Sequence, residues 1–328
     1  MRVVQVGHAP SHPPREQLAP LVEPGVVEPH ASDMAVVASA EATLGDVDAA
    51  LAEHRQWLPI DGNQGSTLRD LIDADSTGPM RLAFGGWRDR VTGVQFIDGR
   101  GDLVTVGGLP VKNVAGYDLA KLLVGSHGCF GRLVSVTVRT ARRPTAALAR
   151  TVPIDGGLPA TVNRLITGDV PPSWLLLTAA GLRAGWLGTD DEVAVLADHV
   201  QADKRSFGED ATERLDASDR RVKLVVAPSH VAGLADDLAN DPVIDGWAID
   251  PMFGVGWLPA HAWEAGSRLA TRRAGHATLA EGDGRTRCAG IGRETLEVLA
   301  RLKREFDPDN ALPPLPRGEA GGTDSITD

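Results

Sequence analysis

Residues Lys112 to Gly131 read KNVAGYDLAKLLVGSHGCFG, and the order of features in this stretch decides the fold. A polar, glycine-broken entry, Lys112-Asn113-Val114-Ala115-Gly116-Tyr117-Asp118, holds the chain's only tyrosine. Asp118 stands at an N-cap position, and Leu119, Leu122 and Leu123 give one apolar stripe of a brief helix. Glycines at Gly125, Gly128 and Gly131 follow, where backbone can approach a ligand closely and offer N–H groups to anionic or carbonyl oxygens. From Leu133 to Val138 valines alternate with polar residues, the pattern of a half-buried strand. Helix, loop, strand is the wrong order for the dinucleotide fingerprint GxGxxG, which needs strand, loop, helix. On spacing alone the loop is either a ligand loop or a glycine-rich connection packed under a sheet.

Working outward, a hairpin precedes this stretch: Val91–Ile97, the turn Asp98-Gly99-Arg100-Gly101, then Leu103–Val106. Earlier still come Gly85-Gly86-Trp87-Arg88-Asp89 and a turn-rich loop, Asp61–Thr67. Thr43-Leu44-Gly45-Asp46 resembles a capping box, and Leu44, Val47 and Leu51 share one helical face. Met34–Ala38 reads as a strand. Residues 1–26 carry five prolines (10, 13, 14, 20, 24) and form an irregular arm with at most a strand at Val3–Val6. The first half is therefore α+β rather than a doubly wound sheet.

Beyond Pro144 a second alternation begins. Trp174–Thr178 and Leu182–Leu187 form a hairpin, and Thr189-Asp190-Asp191-Glu192 opens a helix carrying Val193, Leu196 and Val200. Strands at Val222–Ala227, Trp247–Ile249 and Val255–Leu258 alternate with helices at His230–Leu238 and His261–Arg273, as in a ferredoxin-like layer. A last helix, Arg293–Glu305, ends at Phe306-Asp307-Pro308, and the tail from Pro313 is expected to be disordered.

The chain has 328 residues, enough for two cores, and a net charge of −11. That charge, without a basic stripe, argues against nucleic acid as a partner. No apolar run is long enough to span a bilayer, and the N-terminus lacks a signal pattern. Cys129 and Cys288 are far apart and lack metal-ligand spacing, so no metal site or disulfide framework is expected and a reducing cytoplasm fits.

The run from Leu58 to Thr140, above all Lys112–Gly131, resembles FAD-binding subunits of the vanillyl-alcohol oxidase / p-cresol methylhydroxylase (PCMH-type) fold. It is most similar to the E-type flavin subunit of bacterial glycolate oxidase. Arg88-Asp89, Gly93, KNVAGYDL and GSHGCFG carry the likeness, together with Gly275-His276-Ala277-Thr278, Gly282-Asp283-Gly284 and Phe306-Asp307-Pro308. The resemblance implies an α+β, two-domain protein with a ferredoxin-like cap. After the arm at 1–26, residues 27–145 would form the FAD domain and 146–275 the cap. Residues 276–312 would return to the FAD domain, and 313–328 would form the disordered tail.

The resemblance also implies FAD between the two domains. Gly125, Ser126, Gly128 and Cys129 would lie along the flavin, with Asn113, Tyr117 and Asp118 supporting it. The loop Asn63–Gly78, including Thr67 and Gly78, would take the pyrophosphate. The activity implied is oxidation of a small 2-hydroxy acid to a 2-oxo acid. The implied partners are a larger flavin subunit and an iron–sulfur subunit, with any membrane association arising through them. Two departures favour an alternative, a flavin-free scaffold subunit. The first phosphate loop has no counterpart in residues 1–26. The second reads Thr67-Leu68-Arg69-Asp70 where the family carries a Gly-Gly pair; Asp70 would repel a pyrophosphate, while Arg69 offers a compensating cation.

His276 is the candidate catalytic base or substrate contact, set against a packed core histidine. Arg272 or Arg273 would clamp a substrate carboxylate, although arginines ending a helix also suit its dipole. Lys112 and Tyr117 also read as ordinary structural residues, and His127 as an exposed loop histidine or a flavin-edge donor. Cys129 reads as a small buried residue in a tight loop rather than a nucleophile.

Overall fold

The computed structural model describes residues 3–5, 21–109, 119–200, 204–206, 221–280 and 286–319. The polar entry at 112–118, with Lys112, Asn113, Tyr117 and Asp118, lies outside the described residues, as do Gly282-Asp283-Gly284. The chain divides into two compact units. The first comprises Met1–Thr77, Gly85–Arg143 and Glu294–Leu315, and the second Gly78–Phe84, Pro144–Arg293 and Pro316–Asp328.

The first unit is built on strands β1 (Val3–Gln5), β2 (Val27–His30), β3 (Ala35–Ser39), β5 (Val91–Ile97), β6 (Leu103–Gly107) and β7 (Arg132–Arg139), with a small ladder of β4 (Gln56–Trp57) and β8 (Ala141–Arg142). The six-stranded sheet runs β1-β6-β5-β7-β3-β2 and is antiparallel except for β1 beside β6. The half-buried alternation expected at 133–138 is not what the strand shows: Ser135 and Thr137 are buried as fully as Val136 and Val138, and a register shift at Gln95/Phe96 turns Leu133 rather than Val134 into the core. Leu133, Val136 and Val138 enter a core with Val36, Ala38, Val94 and Phe96, covered by the helices Leu44–Ala52, Leu68–Asp73 and Leu119–Leu123. Leu299, Leu302 and Phe306 of the last helix, Arg293–Phe306, pack against the same core.

Polar strand residues form a second network. Gln95 Oε1 accepts from the Ser135 hydroxyl at 2.9 Å and from the Leu21 amide at 2.6 Å, while its Nε2 donates to Thr105 at 3.0 Å. Residue 21 is thereby fixed to the sheet, so the expected irregular arm has its end anchored. Thr43 makes the expected capping box with Asp46.

The second unit holds β9 (Ala146–Val152), β10 (Trp174–Thr178), β11 (Gly181–Gly188), β12 (Lys204–Ser206), β13 (Arg221–Val225), β14 (Ala248–Asp250), β15 (Val255–Pro259), β16 (His276–Ala280), β17 (Thr286–Ala289) and β18 (Arg317–Glu319). They form a ten-stranded sheet in the order β12-β9-β11-β10-β14-β15-β13-β16-β17-β18. Leu175, Leu177, Ile249, Leu258, Val222, Leu224, Ala277 and Leu279 share its core with Val162, Leu234 and Leu269 of the helices Leu158–Thr167, Val231–Asn240 and Trp263–Thr271. The fold class is α+β, and the helix-backed antiparallel layer extends well beyond a four-stranded ferredoxin-like core.

Two boundaries differ from the sequence expectation. Residues 276–280 do not return to the first unit, because β16 pairs with β13 and β17; the return starts at Glu294. The tail does not lose structure at Pro313, because Cys129 holds the Pro314 carbonyl and β18 adds a parallel edge to β17.

Candidate functional site

The glycine loop lies on the C-terminal end of the helix Leu68–Asp73. The Gly125 amide donates to the Ile72 carbonyl and the His127 amide to the Asp73 carbonyl, each at 2.9 Å. Gly125 (φ 77°), His127 (φ 52°) and Gly128 (φ 75°) occupy the left-handed region, which glycine enters without steric cost. A methyl group at Gly128 would stand 3.6 Å from Asp73 Oδ2 and 3.5 Å from Pro313 Cγ. At Gly131 the constraint is steric, since a methyl would fall 2.3 Å from the Phe96 ring.

In this loop Ser126 Oγ, and at the helix end beneath it Asp73 Oδ1, are buried and have no hydrogen-bond partner among the described residues. Unsatisfied buried polar atoms are costly, and one on each of two adjoining segments suits a partner supplied from outside the described residues. Burial pushes the Asp73 carboxyl up to about 7, with Arg69 opposing and Asp70 reinforcing the shift. Asp73 is therefore poised to donate or to accept near neutral pH.

Cys129 is buried, and its thiol donates to the Pro314 carbonyl at 3.1 Å. Burial pushes that thiol up to about 11, which fits the small structural cysteine expected. Its carbonyl accepts from Lys303, which also donates to the carbonyls of Pro313 at 2.7 Å and Leu312 at 3.4 Å and pairs with Asp307. Asp307 in turn accepts from the amides of Ala311 at 2.7 Å and Leu312 at 3.1 Å. Sequence reasoning missed this clamp. Lys303 sits in an amphipathic helix where a lysine reads as solvated, and only its long-range carbonyls reveal its role.

Thr67 is the N-cap of the helix Leu68–Asp73, its hydroxyl accepting from the Asp70 amide at 3.1 Å. The Leu68 and Arg69 amides donate to the carbonyls of Ala42 and Ala40, each at 2.9 Å. Arg69 is committed too, donating to the Leu133 carbonyl at 3.1 and 2.8 Å and pairing with Glu41 at 2.6 Å. It is not a spare cation for an anion. Gly78 falls in the second unit, where its carbonyl accepts from the Arg81 amide at 3.1 Å.

In the second unit His276 is half-buried on β16, opposite Val225. Burial and the nearby Lys223 ammonium hold its imidazole below the usual range, so it is neutral at physiological pH. Lys223 pairs with Thr278 in the adjacent row, and Lys223, Thr278 and His276 share one sheet face. Arg272 is exposed at the C-cap of the helix Trp263–Thr271. Arg273, the other arginine considered, instead ties two helices, donating to the Leu269 carbonyl at 3.1 Å and the Gly233 carbonyl at 2.8 Å and pairing with Asp237.

No protein-family model matches the sequence. The chain is 34% identical over 128 residues to glycolate oxidase subunit GlcE of Escherichia coli (strain K12), covering 38% of this chain and 37% of that one. It is 34% identical over 113 residues to glycolate oxidase subunit GlcD of Bacillus subtilis (strain 168), covering 34% and 24%. The matched stretches thus span less than two-fifths of these curated relatives. Among solved structures, an alkyldihydroxyacetonephosphate synthase superposes with a TM-score of 0.58 at 13% identity, covering 85% of this chain and 63% of that chain. The similarity to glycolate oxidase subunits expected from the glycine loop is present, and the fold is shared with the synthase. Among the described residues, no helix is long and apolar enough to cross a membrane.

Proposed function

We propose that this chain is an FAD-binding subunit of a glycolate oxidase-like assembly that oxidises a 2-hydroxy acid to a 2-oxo acid. The observation that carries the reading is the 34% likeness to the GlcE subunit. The local geometry supports the ring half of the cofactor: among the described residues, the Ser126 hydroxyl and Asp73 Oδ1 beside the glycine loop have no hydrogen-bond partner. An isoalloxazine ring carries an N–H and carbonyl oxygens along its polar edge, which suit one donor and one group able to donate or accept. The diphosphate half does not fit the start of the helix Leu68–Asp73, whose first amides are already bonded.

When bound, the flavin supplies the acceptor for the hydride that leaves the hydroxyl-bearing carbon. In this reading Gly125, Ser126, Gly128 and Cys129 form the ring-side loop, and Asn113, Tyr117 and Asp118 complete its support. His276, neutral at physiological pH, accepts the substrate hydroxyl proton at an imidazole nitrogen. Arg272 holds the substrate carboxylate. The likeness to both GlcE and GlcD supports a multi-subunit assembly, with a larger flavin subunit and an iron–sulfur subunit as partners. Association with a membrane would come through those partners.

The test is the visible absorbance spectrum of the purified chain, with FAD identified in the supernatant after denaturation. Flavin bands that bleach on adding glycolate or another 2-hydroxy acid are the expected result. A chain that stays colourless after incubation with FAD overturns the reading.

A further inference from the structure

The diphosphate half of the cofactor finds no free amide at the starts of the helices Leu44–Ala52 and Leu68–Asp73. Two helix starts meet at an antiparallel bridge between Thr43 and Thr67. On one side the Leu44 amide donates to the Ser66 carbonyl at 3.0 Å, Gly45 to Gln64 at 2.9 Å, and Asp46 to the Thr43 hydroxyl at 3.1 Å. On the other, Leu68 donates to Ala42, Arg69 to Ala40, and Asp70 to the Thr67 hydroxyl. Each helix start is filled largely by the loop that leads into the other. The first three helical amides of both, the usual donors for a phosphate, are consumed.

Electrostatics at the bridge work the same way. Asp46 and Asp70 stand in the two first turns, where they take the favourable position a phosphate would seek. Hydrogen bonds from the Thr43 hydroxyl and amide hold the Asp46 carboxyl below its usual range, so it is a fixed negative charge. Arg69 is the one cation in either first turn, and it is spent on Leu133 and Glu41. Beside the glycine loop the situation is reversed: Ser126 is 7% exposed and its hydroxyl has no partner among the described residues, and Asp73 Oδ1 is buried in the same state.

We infer that this chain recognises a flavin by its ring and not by its diphosphate, so that riboflavin, FMN and FAD bind alike. The inference rests on the flavin reading above, and it assigns the ring contacts to Ser126 and Asp73. Three titrations of the flavin-free full chain test it, following quenching of flavin fluorescence by riboflavin, FMN and FAD. The dissociation constants are expected to agree within about threefold, since neither helix start offers a free amide or cation to the phosphates. Raising the salt tenfold is expected to move the FAD constant by less than about twofold. Ser126→Ala and Asp73→Ala are each expected to weaken all three ligands by one common factor of about fivefold, the loss of a hydrogen bond to the ring. Arg69→Ala is expected to leave the ratio of FAD to riboflavin unchanged.

A preference for FAD beyond threefold, or an Arg69→Ala variant that loses FAD selectively, overturns the inference and leaves the flavin reading standing. Absence of binding by any of the three ligands overturns both.

Discussion

The ammonium of Lys303 donates to the carbonyl of Cys129 at 3.0 Å, joining residues 174 positions apart. Through it the last helix holds the glycine loop and the turn at Leu312–Pro313 together, with Asp307 supplying the countercharge. The ion pair is buried: Lys303 is 8% exposed and Asp307 is 1% exposed. Removing one partner leaves the other as an uncompensated buried charge. Lys303→Met is therefore expected to cost the first unit about 3–5 kcal/mol, whereas the double change Lys303→Met, Asp307→Leu costs clearly less than the sum of the single changes. Urea denaturation curves of the four proteins give the coupling; additive losses would show that the pair does not act as a clamp.

Asp73 sets a pH dependence of unusual sign. Its carboxyl has a folded pKa of about 7 against 3.8 for the free group, so the folded state binds the proton more tightly. Stability is then greatest below about 4 on this account and declines as pH rises towards 7. Asp73→Asn keeps the shape without the charge. It is expected to stabilise the first unit by up to about 4 kcal/mol at pH 8, by roughly a third of that at pH 5, and to change little below pH 4. Asp250 of the second unit, also raised to about 7 by burial against the pull of the Met252 and Phe253 amides and Arg81, carries the same sign. Flattening both slopes takes both substitutions, read out as denaturation midpoints from pH 5 to 8. An Asp73→Asn variant as pH-sensitive as the parent would sink the assignment.

Local signals made the secondary structure legible, and long-range ones hid the chemistry. Thr43 announces its capping box within four residues, because the cause lies nearby in the chain, whereas the valines of 133–138 suggested a half-buried strand that neighbours on both faces bury completely at 135–138. The hairpin of β10 and β11 is likewise written in its own residues. Lys303 is different: nothing in its helix reveals that carbonyls from residues 129 and 313 surround it. Thr67 entered as a phosphate contact through the family resemblance alone, and the sequence cannot show that the amides after it, of Leu68 and Arg69, donate to Ala42 and Ala40. Arg272 and Arg273 were indistinguishable in sequence, yet only Arg273 is held by Asp237 and Gly233. The boundary placed at 276 failed because the pairing of β16 with β13 spans fifty residues of chain.

Both cysteines lend their thiols to the C-terminal segment, Cys129 to the Pro314 carbonyl at 3.1 Å and Cys288 to the Arg317 carbonyl at 3.3 Å. Each is buried, and Cys129 is further protected by a thiol pKa of about 11. The thiolate is the reactive form, so neither residue is expected to react with a disulfide reagent at pH 8 while the chain is folded. Unfolding in urea should release both at once in a thiol titration. Rapid labelling of Cys129 in the native protein would mean that the segment at 313–315 is not seated on the loop.

His276 provides a test independent of any cofactor. Burial is the main cause that lowers its imidazole, and the Lys223 ammonium is the second. A base whose folded pKa lies below its unfolded value of 6.5 contributes stability that is present above 6.5 and is lost as pH falls through the folded value. His276→Gln should therefore make the second unit less sensitive to acid between pH 6.5 and 5. Lys223→Met should raise the His276 pKa, followed by the imidazole ring-proton resonance in NMR and assigned by its disappearance in His276→Gln. If His276 also accepts the substrate proton, the acid limb of kcat/KM must shift upward in Lys223→Met by the same amount as the resonance. A resonance that moves while the activity limb stays in place would leave His276 a packed residue and assign the base elsewhere.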